Sequence, residues 1–176
     1  MRYDPFFARP DICEYKAFQT ERIPFSRAVV EACERNVCGM YGKTWTCPPG
    51  VGTLEELKTK ITAWPFAVVF TCKFDLEDSF DFEGMRAGQK QTKRVLKAVT
   101  AELRAAGIPF FALGNEGCDL CETCAYPDAP CRHPDLAAPS IEACGVNVMQ
   151  LSKEIGVRYN NGPDTVTYFC MILFEA

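Results

Sequence analysis

His133 is the chain's single histidine. That scarcity leaves no Ser-His-Asp triad with a spare proton shuttle and no histidine-rich zinc site. Neither G-x-G-x-x-G nor G-x-x-x-x-G-K-[ST] occurs, which removes the usual glycine-rich phosphate cradles. The C-x3-C-x2-C spacing of radical-cluster enzymes is also missing. Apolar runs such as Phe66 to Cys72 are far too short to span a bilayer, so no membrane role is expected. Lys and Arg are scattered under a net charge of -4, without the basic stripe that nucleic acid requires. The start, Met1-Arg2-Tyr3-Asp4-Pro5, lacks the charged-then-apolar order of a signal peptide, and the expected location is cytoplasmic.

Cysteine is what the chain has in excess: 11 in 176 residues, an odd number that cannot pair fully. In a reducing compartment such a set points to metal ligation rather than a disulfide framework. Cys118, Cys121, Cys124 and Cys131 follow C-x2-C-x2-C-x6-C, four within fourteen residues and far above the chain's average density. A loop can turn several thiolates inward where a helix or strand cannot. The opening spacing matches the start of the bacterial ferredoxin run, C-x2-C-x2-C-x3-C-P, and departs from it in the distance to the fourth member. Zinc sites more often show two separated C-x2-C pairs. An iron–sulfur cluster is the first reading, zinc the second, and a redox-sensitive loop the third. Cys144 and His133 stand near enough in sequence to be candidates for additional ligands.

A second constellation, Cys33, Cys38 and Cys47, lies in a segment punctuated by Gly39, Gly42, Pro48, Pro49 and Gly50. Glycine permits close backbone approach to a cofactor, and the proline pair stiffens the chain after Cys47. Three thiolates are one short of a closed site. They would form a second cluster, an open iron for substrate, or a turn with buried thiols. Tyr41, Trp45 and Tyr126 are candidates to line a cofactor site and shield it from water.

The remaining pattern predicts a single domain over 1–176, with residues 1–25 as an extended arm carrying one short strand near 12–18. Cys13, Cys72 and Cys170 are expected to be small core residues. Ser26 starts a helix to about Asn36, and the capping-box pattern Thr53-x-x-Glu56 starts another to about Ala63. Strands are expected at 66–74, 108–114 and 165–174. The longest helix, from about Gly84 to Ala106, has the apolar stripe Val95, Leu96, Val99 and Leu103. Lys90, Lys93, Arg94, Lys97 and Arg104 lie on its other faces, read as solvated. Pro139-Ser140 opens a helical stretch interrupted at Gly145, with its main part over 146–155. The fold class is an α/β or α+β sandwich around a small mixed sheet of three to five strands, with cysteine-rich metal-binding loops.

Cys38-x2-Tyr41-Gly42-Lys43-x-Trp45-x-Cys47-Pro48-Pro49-Gly50, then Gly117-Cys118-x2-Cys121-x2-Cys124, Pro130-Cys131-Arg132-x-Pro134 and Pro139-Ser140-x-Glu142-Ala143-x-Gly145 resemble a known family. It is the cysteine-rich predicted metal-binding proteins catalogued as domain of unknown function 2284, found mainly in anaerobic prokaryotes. The resemblance spans about residues 30–160. It implies metal binding, with iron–sulfur the first expectation, adds weight to Cys33, Cys38 and Cys47 as ligands, and suggests roles for Ser140 and Glu142. The expectation is therefore a [4Fe–4S] cluster, one or two per chain, in a one-electron redox protein with a protein redox partner. Zinc in a structural or interaction module is the alternative.

Overall fold

Two ten-residue strands, Phe66–Asp75 (β2) and Thr165–Phe174 (β4), pair antiparallel along their whole length, from Phe66 opposite Phe174 to Asp75 opposite Thr165. Glu14–Gln19 (β1) pairs antiparallel with the free edge of β2, and Phe110–Leu113 (β3) with the free edge of β4. The order is β1-β2-β4-β3. The computed structural model describes residues 3–175.

The sheet was expected to be mixed, and every hydrogen-bonded neighbour in it is antiparallel. The reason is topological. Helix Phe82–Ala105 (α4) carries the chain from β2 to β3, which run the same way as in a parallel crossover. They are not neighbours, because the last strand, β4, fills the slot between them.

Side chains alternate along each strand, so one ladder feeds two cores. Val68, Phe70, Cys72, Cys170, Ile172 and Phe174 pack with the stripe Val95, Leu96, Val99 and Leu103 of α4. Ala67, Val69, Phe169, Met171 and Leu173 face the opposite layer, built on Leu54–Thr62 (α3) and Val148–Ile155 (α5). With both faces covered, the two central strands are apolar on successive residues rather than alternately. The layers are helix, sheet, helix. Gly88 lets α4 approach closely: a Cβ there would lie 2.7 Å from the ring of Phe74.

Local signals place most elements. The Thr53–Glu56 capping box is formed in both directions, with Thr53 N–H donating to Glu56 (2.8 Å) and Glu56 N–H to Thr53 Oγ1 (3.3 Å). Asp81 caps α4 by accepting from Gly84 N–H (2.8 Å), and Asn147 caps α5 by accepting from Gln150 N–H (3.0 Å). Ser26 stands at the cap position of Arg27–Glu34 (α2) without a side-chain cap bond. The stretch after Ser140 makes only a 3-10 turn at Glu142–Cys144 before Gly145 takes a left-handed φ of 75°.

The expected N-terminal arm is largely folded in. A short helix, Asp4–Phe7 (α1), drives Phe7 into the α4-side core, and Tyr3 stacks on Phe174 at 4.0 Å. Its aromatics have an apolar surface to cover, and that outweighs the turn-forming prolines. Met1 and Arg2, also in that expected arm, lie outside the described residues. Cys72 and Cys170 are fully buried as expected, whereas Cys13 is exposed, one residue beyond the inward-facing Ile12. Among the described residues no helix is long and apolar enough to cross a membrane.

Burial pushes the Cys72 thiol up to about 11, and Cys170 also lies well above the ordinary thiol range. An unfolded chain ionises both thiols earlier, near pH 9, so the stability from keeping them neutral is complete below that pH. It is lost as pH rises toward 11. Urea midpoints should fall between pH 8 and pH 10.5, with Cys72 alone accounting for an equivalent of about 2 kcal/mol. Cys72→Ala should flatten that slope despite lowering stability at pH 8; an unchanged slope would show that these thiols are not shielded.

Candidate metal centre

Strand β3 ends at Leu113, and the next residue closes the base of a long loop. Gly114 N–H donates to Pro139 O (2.7 Å) and Gly114 O accepts from Ile141 N–H (3.0 Å), pinning residues 115–138 at both ends. The helix faces read as solvated are what hold this loop. Lys93 Nζ donates to Gly117 O (2.7 Å) and pairs with Glu116 (2.7 Å), its side chain only 13% exposed. Lys97 pairs with Asp119 (3.0 Å), and Arg104 donates to Asp135 O (2.7 Å). Burial alone would raise Asp119; the hydrogen bond from Lys97 and the charge of Lys93 outweigh it and hold the carboxyl below its usual range.

Cys118, Cys121, Cys124 and Cys131, all half-buried, line one cavity of about 460 Å³. The loop of residues 38–50 supplies the opposite wall. Trp45 meets Tyr126 edge-on, with ring centroids 4.9 Å apart, and donates its indole N–H to Ala129 O (2.9 Å). Both rings line the cavity. Gly50 makes room for this: a Cβ there would come within 2.8 Å of the Tyr126 ring. The buried Thr46 accepts from Cys118 N–H (3.2 Å), tying the two cysteine segments together. Burial raises the Cys118 thiol, while the Leu120 backbone N–H donates to its sulfur and works the other way. His133 also lines the cavity from an exposed position.

The second group is assembled beside the first. Cys33 is half-buried on α2, Cys38 exposed and Cys47 buried. The Cys33 thiol is raised first by burial, then by the nearby Cys38 thiol, with Glu142 and Cys47 adding to the effect. Cys47 Sγ would lie 3.3 Å from a Cβ at Gly117, so this group abuts the residue before Cys118. None of the three lines the 460 Å³ cavity. Tyr41 turns away from it as well, toward a separate cavity of about 310 Å³ beside Pro48 and Pro49.

Cys144 belongs with neither loop. It is fully buried against α3 and α5, where desolvation pushes its thiol up to about 12, and its sulfur-bearing neighbour is Cys33 rather than Cys118. Ser140 Oγ, one residue before the cap position of the 3-10 turn, accepts from Ala143 N–H (3.0 Å). Glu142 is solvent-exposed as a residue, yet desolvation of its carboxyl raises it above its usual range, and its backbone O accepts from Cys33 Sγ (3.9 Å).

All eleven cysteines are free thiols. Among the described residues no three Cys, His, Asp or Glu side chains converge as a single-ion site. The donor set that does gather, four thiols with aromatic walls, is soft and suits zinc or iron–sulfur chemistry. Thr46 and Lys93 escaped the sequence reading. Thr46 carried a signal in its place between Trp45 and Cys47; Lys93 carried none, since a helical lysine is usually solvated.

Lys93→Gln should accelerate amide exchange across residues 116–124 by about tenfold while leaving the β2–β4 ladder protected. Uniform loss of protection would show the ion pair to be global in effect.

Neither the comparison with curated proteins nor that with solved structures gives a match. The family model described as "Predicted metal-binding protein (DUF2284)" matches residues 16–174. With nearly its whole length matched and two cysteine segments packed together at the end of its sheet, the chain belongs to this family of predicted metal-binding proteins.

Proposed function

We propose that this chain is an iron–sulfur protein of a reducing, low-oxygen cytoplasm, holding one [4Fe–4S] cluster on Cys118, Cys121, Cys124 and Cys131 for one-electron exchange with a partner protein. The observation that carries this reading is the cavity of about 460 Å³ bounded by those four thiols. A zinc–thiolate bond of 2.3 Å requires tetrahedral sulfurs about 3.8 Å apart. Thiols spread around a cavity fit a larger polynuclear group better. Such a group, when bound, supplies reversible one-electron transfer at a potential set by its surroundings.

This chain's own residues account for those surroundings. Leu120 N–H is directed at Cys118 Sγ, and hydrogen bonds to sulfur raise a cluster's potential. Trp45 and Tyr126 exclude water from one wall, and Thr46 holds the Cys118 backbone in place. Arg132 donates to Thr123 O (2.8 Å), closing the loop around its last two cysteines. Cys33, Cys38 and Cys47 would hold a second centre, one protein ligand short of closure and therefore open to a small molecule.

Iron and acid-labile sulfide on protein purified without air test the proposal. About four of each per chain is the expected content for one cubane, and about eight would add the second centre. Cys121→Ser should remove the first centre's absorbance and electron-paramagnetic signal while the fold persists by circular dichroism. One zinc per chain with no sulfide would replace the redox reading with a structural zinc module.

A further inference from the structure

Strand β3 is an edge, and a second cavity, of about 410 Å³, runs along it. In an antiparallel ladder, residues alternate between bonding the partner strand and pointing their N–H and C=O away from it. Gly114 points away, as its bonds to Pro139 and Ile141 require, so Ala112 and Phe110 do too. The segment that pairs with Gly114 diverges upstream, at residues 134–138, and the cavity fills the gap. Among the described residues nothing partners the outward N–H and C=O of Ala112, although Ala112 is only 7% exposed. Buried backbone groups are rarely left this way without water or a ligand.

The walls indicate what kind of ligand. Arg104 lies over the Phe110 ring (5.2 Å) and Lys60 over the Phe111 ring (4.3 Å), one on each side of the strand. Their neighbours Lys93 and Lys97 are neutralised by Glu116 and Asp119, but neither Arg104 nor Lys60 has a carboxylate partner among the described residues. Leu96, Ile108 and Leu136 give the cavity an apolar lining. Its size falls in the range of small-molecule sites. Arg104 also ties Asp135 O across the opening, which favours an enclosed small molecule over a peptide strand running through.

We propose that this cavity binds a small carboxylate bearing an amide edge and one apolar group, the chemistry of an N-acylated amino acid. The amide pairs with the outward N–H and C=O of Ala112, as an added strand would. The carboxylate meets Arg104 and Lys60, and the apolar group lies against Leu96 and Leu136. Cys118 and Leu120 wall both cavities, so the ligand rests against the first cysteine of the metal loop. Binding itself does not depend on which metal that loop holds.

The probe is N-acetyl-L-leucine, titrated into the full chain and followed by calorimetry and by the Ala112 amide resonance. Saturable binding with increased protection of the Ala112 N–H is expected. N-acetyl-L-leucinamide, without the carboxylate, and 4-methylpentanoate, without the amide, should each bind about tenfold or more weakly. Lys60→Gln with Arg104→Gln should weaken the probe to the same degree, while Lys153→Gln should leave it unchanged. Equal binding of all three compounds, or no saturable binding, overturns the site. Progressively tighter binding of longer acetylated peptides ending in leucine would overturn the small-molecule assignment in favour of strand addition. Metal analysis of the same sample reads the iron–sulfur proposal separately, so either can fail alone.

Discussion

The pairing of β4 between β2 and β3 is the constraint on which the rest of the molecule depends. Among the described residues β3 has no other strand neighbour, and the cysteine loop begins one residue after it. Until residues 165–174 enter the slot, the β2–α4–β3 crossover is a split unit with a gap where its central strand belongs. Both cores are then incomplete, because Cys170, Ile172 and Phe174 fill one and Phe169, Met171 and Leu173 the other. The pairing is non-local and comes last in the chain, so the loop's anchor forms only when the domain closes. A metal bound before that point would be held by a loop with one end free.

That dependence explains what the sequence disclosed and what it did not. The capping box at Thr53, the helix stripe from Val95 to Leu103 and the strands near 66–75 and 165–174 are local signals, fixed by bonds within a few residues or by the strand period. The strand order is not local. Strands alternating with helices suggested a mixed sheet, whereas the sheet is antiparallel, and its continuous apolar runs arise because helices cover both faces. Helix α1 was illegible for a similar reason: four residues with a proline have little helical preference of their own, and Phe7 forms the helix by what it covers.

The candidate site divides in the same way. The spacing of Cys118, Cys121, Cys124 and Cys131 announced a loop wrapped around something, and all four do line one cavity. Trp45 and Tyr126 were legible as aromatic neighbours of cysteine. What could not be read was how the loop is fastened. Lys93, Lys97 and Arg104 are three helix turns of ordinary surface residues until β3 delivers the loop across from them, and then they hold Gly117, Asp119 and Asp135. Their role is a property of topology rather than of α4's own pattern.

Eleven thiols in one small domain would compete for any soft metal unless something sorted them, and burial supplies the sorting. A thiol must lose its proton to become a ligand. Cys72, Cys144 and Cys170 are fully buried among apolar side chains; burial drives Cys72 to about 11 and Cys144 to about 12 and raises Cys170 well above the ordinary thiol range, so they are poor thiolates near neutral pH. Cys118 is also raised by burial, but less completely enclosed and with a backbone N–H directed at its sulfur, a partner that favours the charged form. Cys121, Cys124 and Cys131 share its half-buried position on the same wall. The sheet thus keeps the core thiols protonated and presents the loop thiols together at its end. The same β3 edge that presents them leaves the Ala112 backbone open beside them.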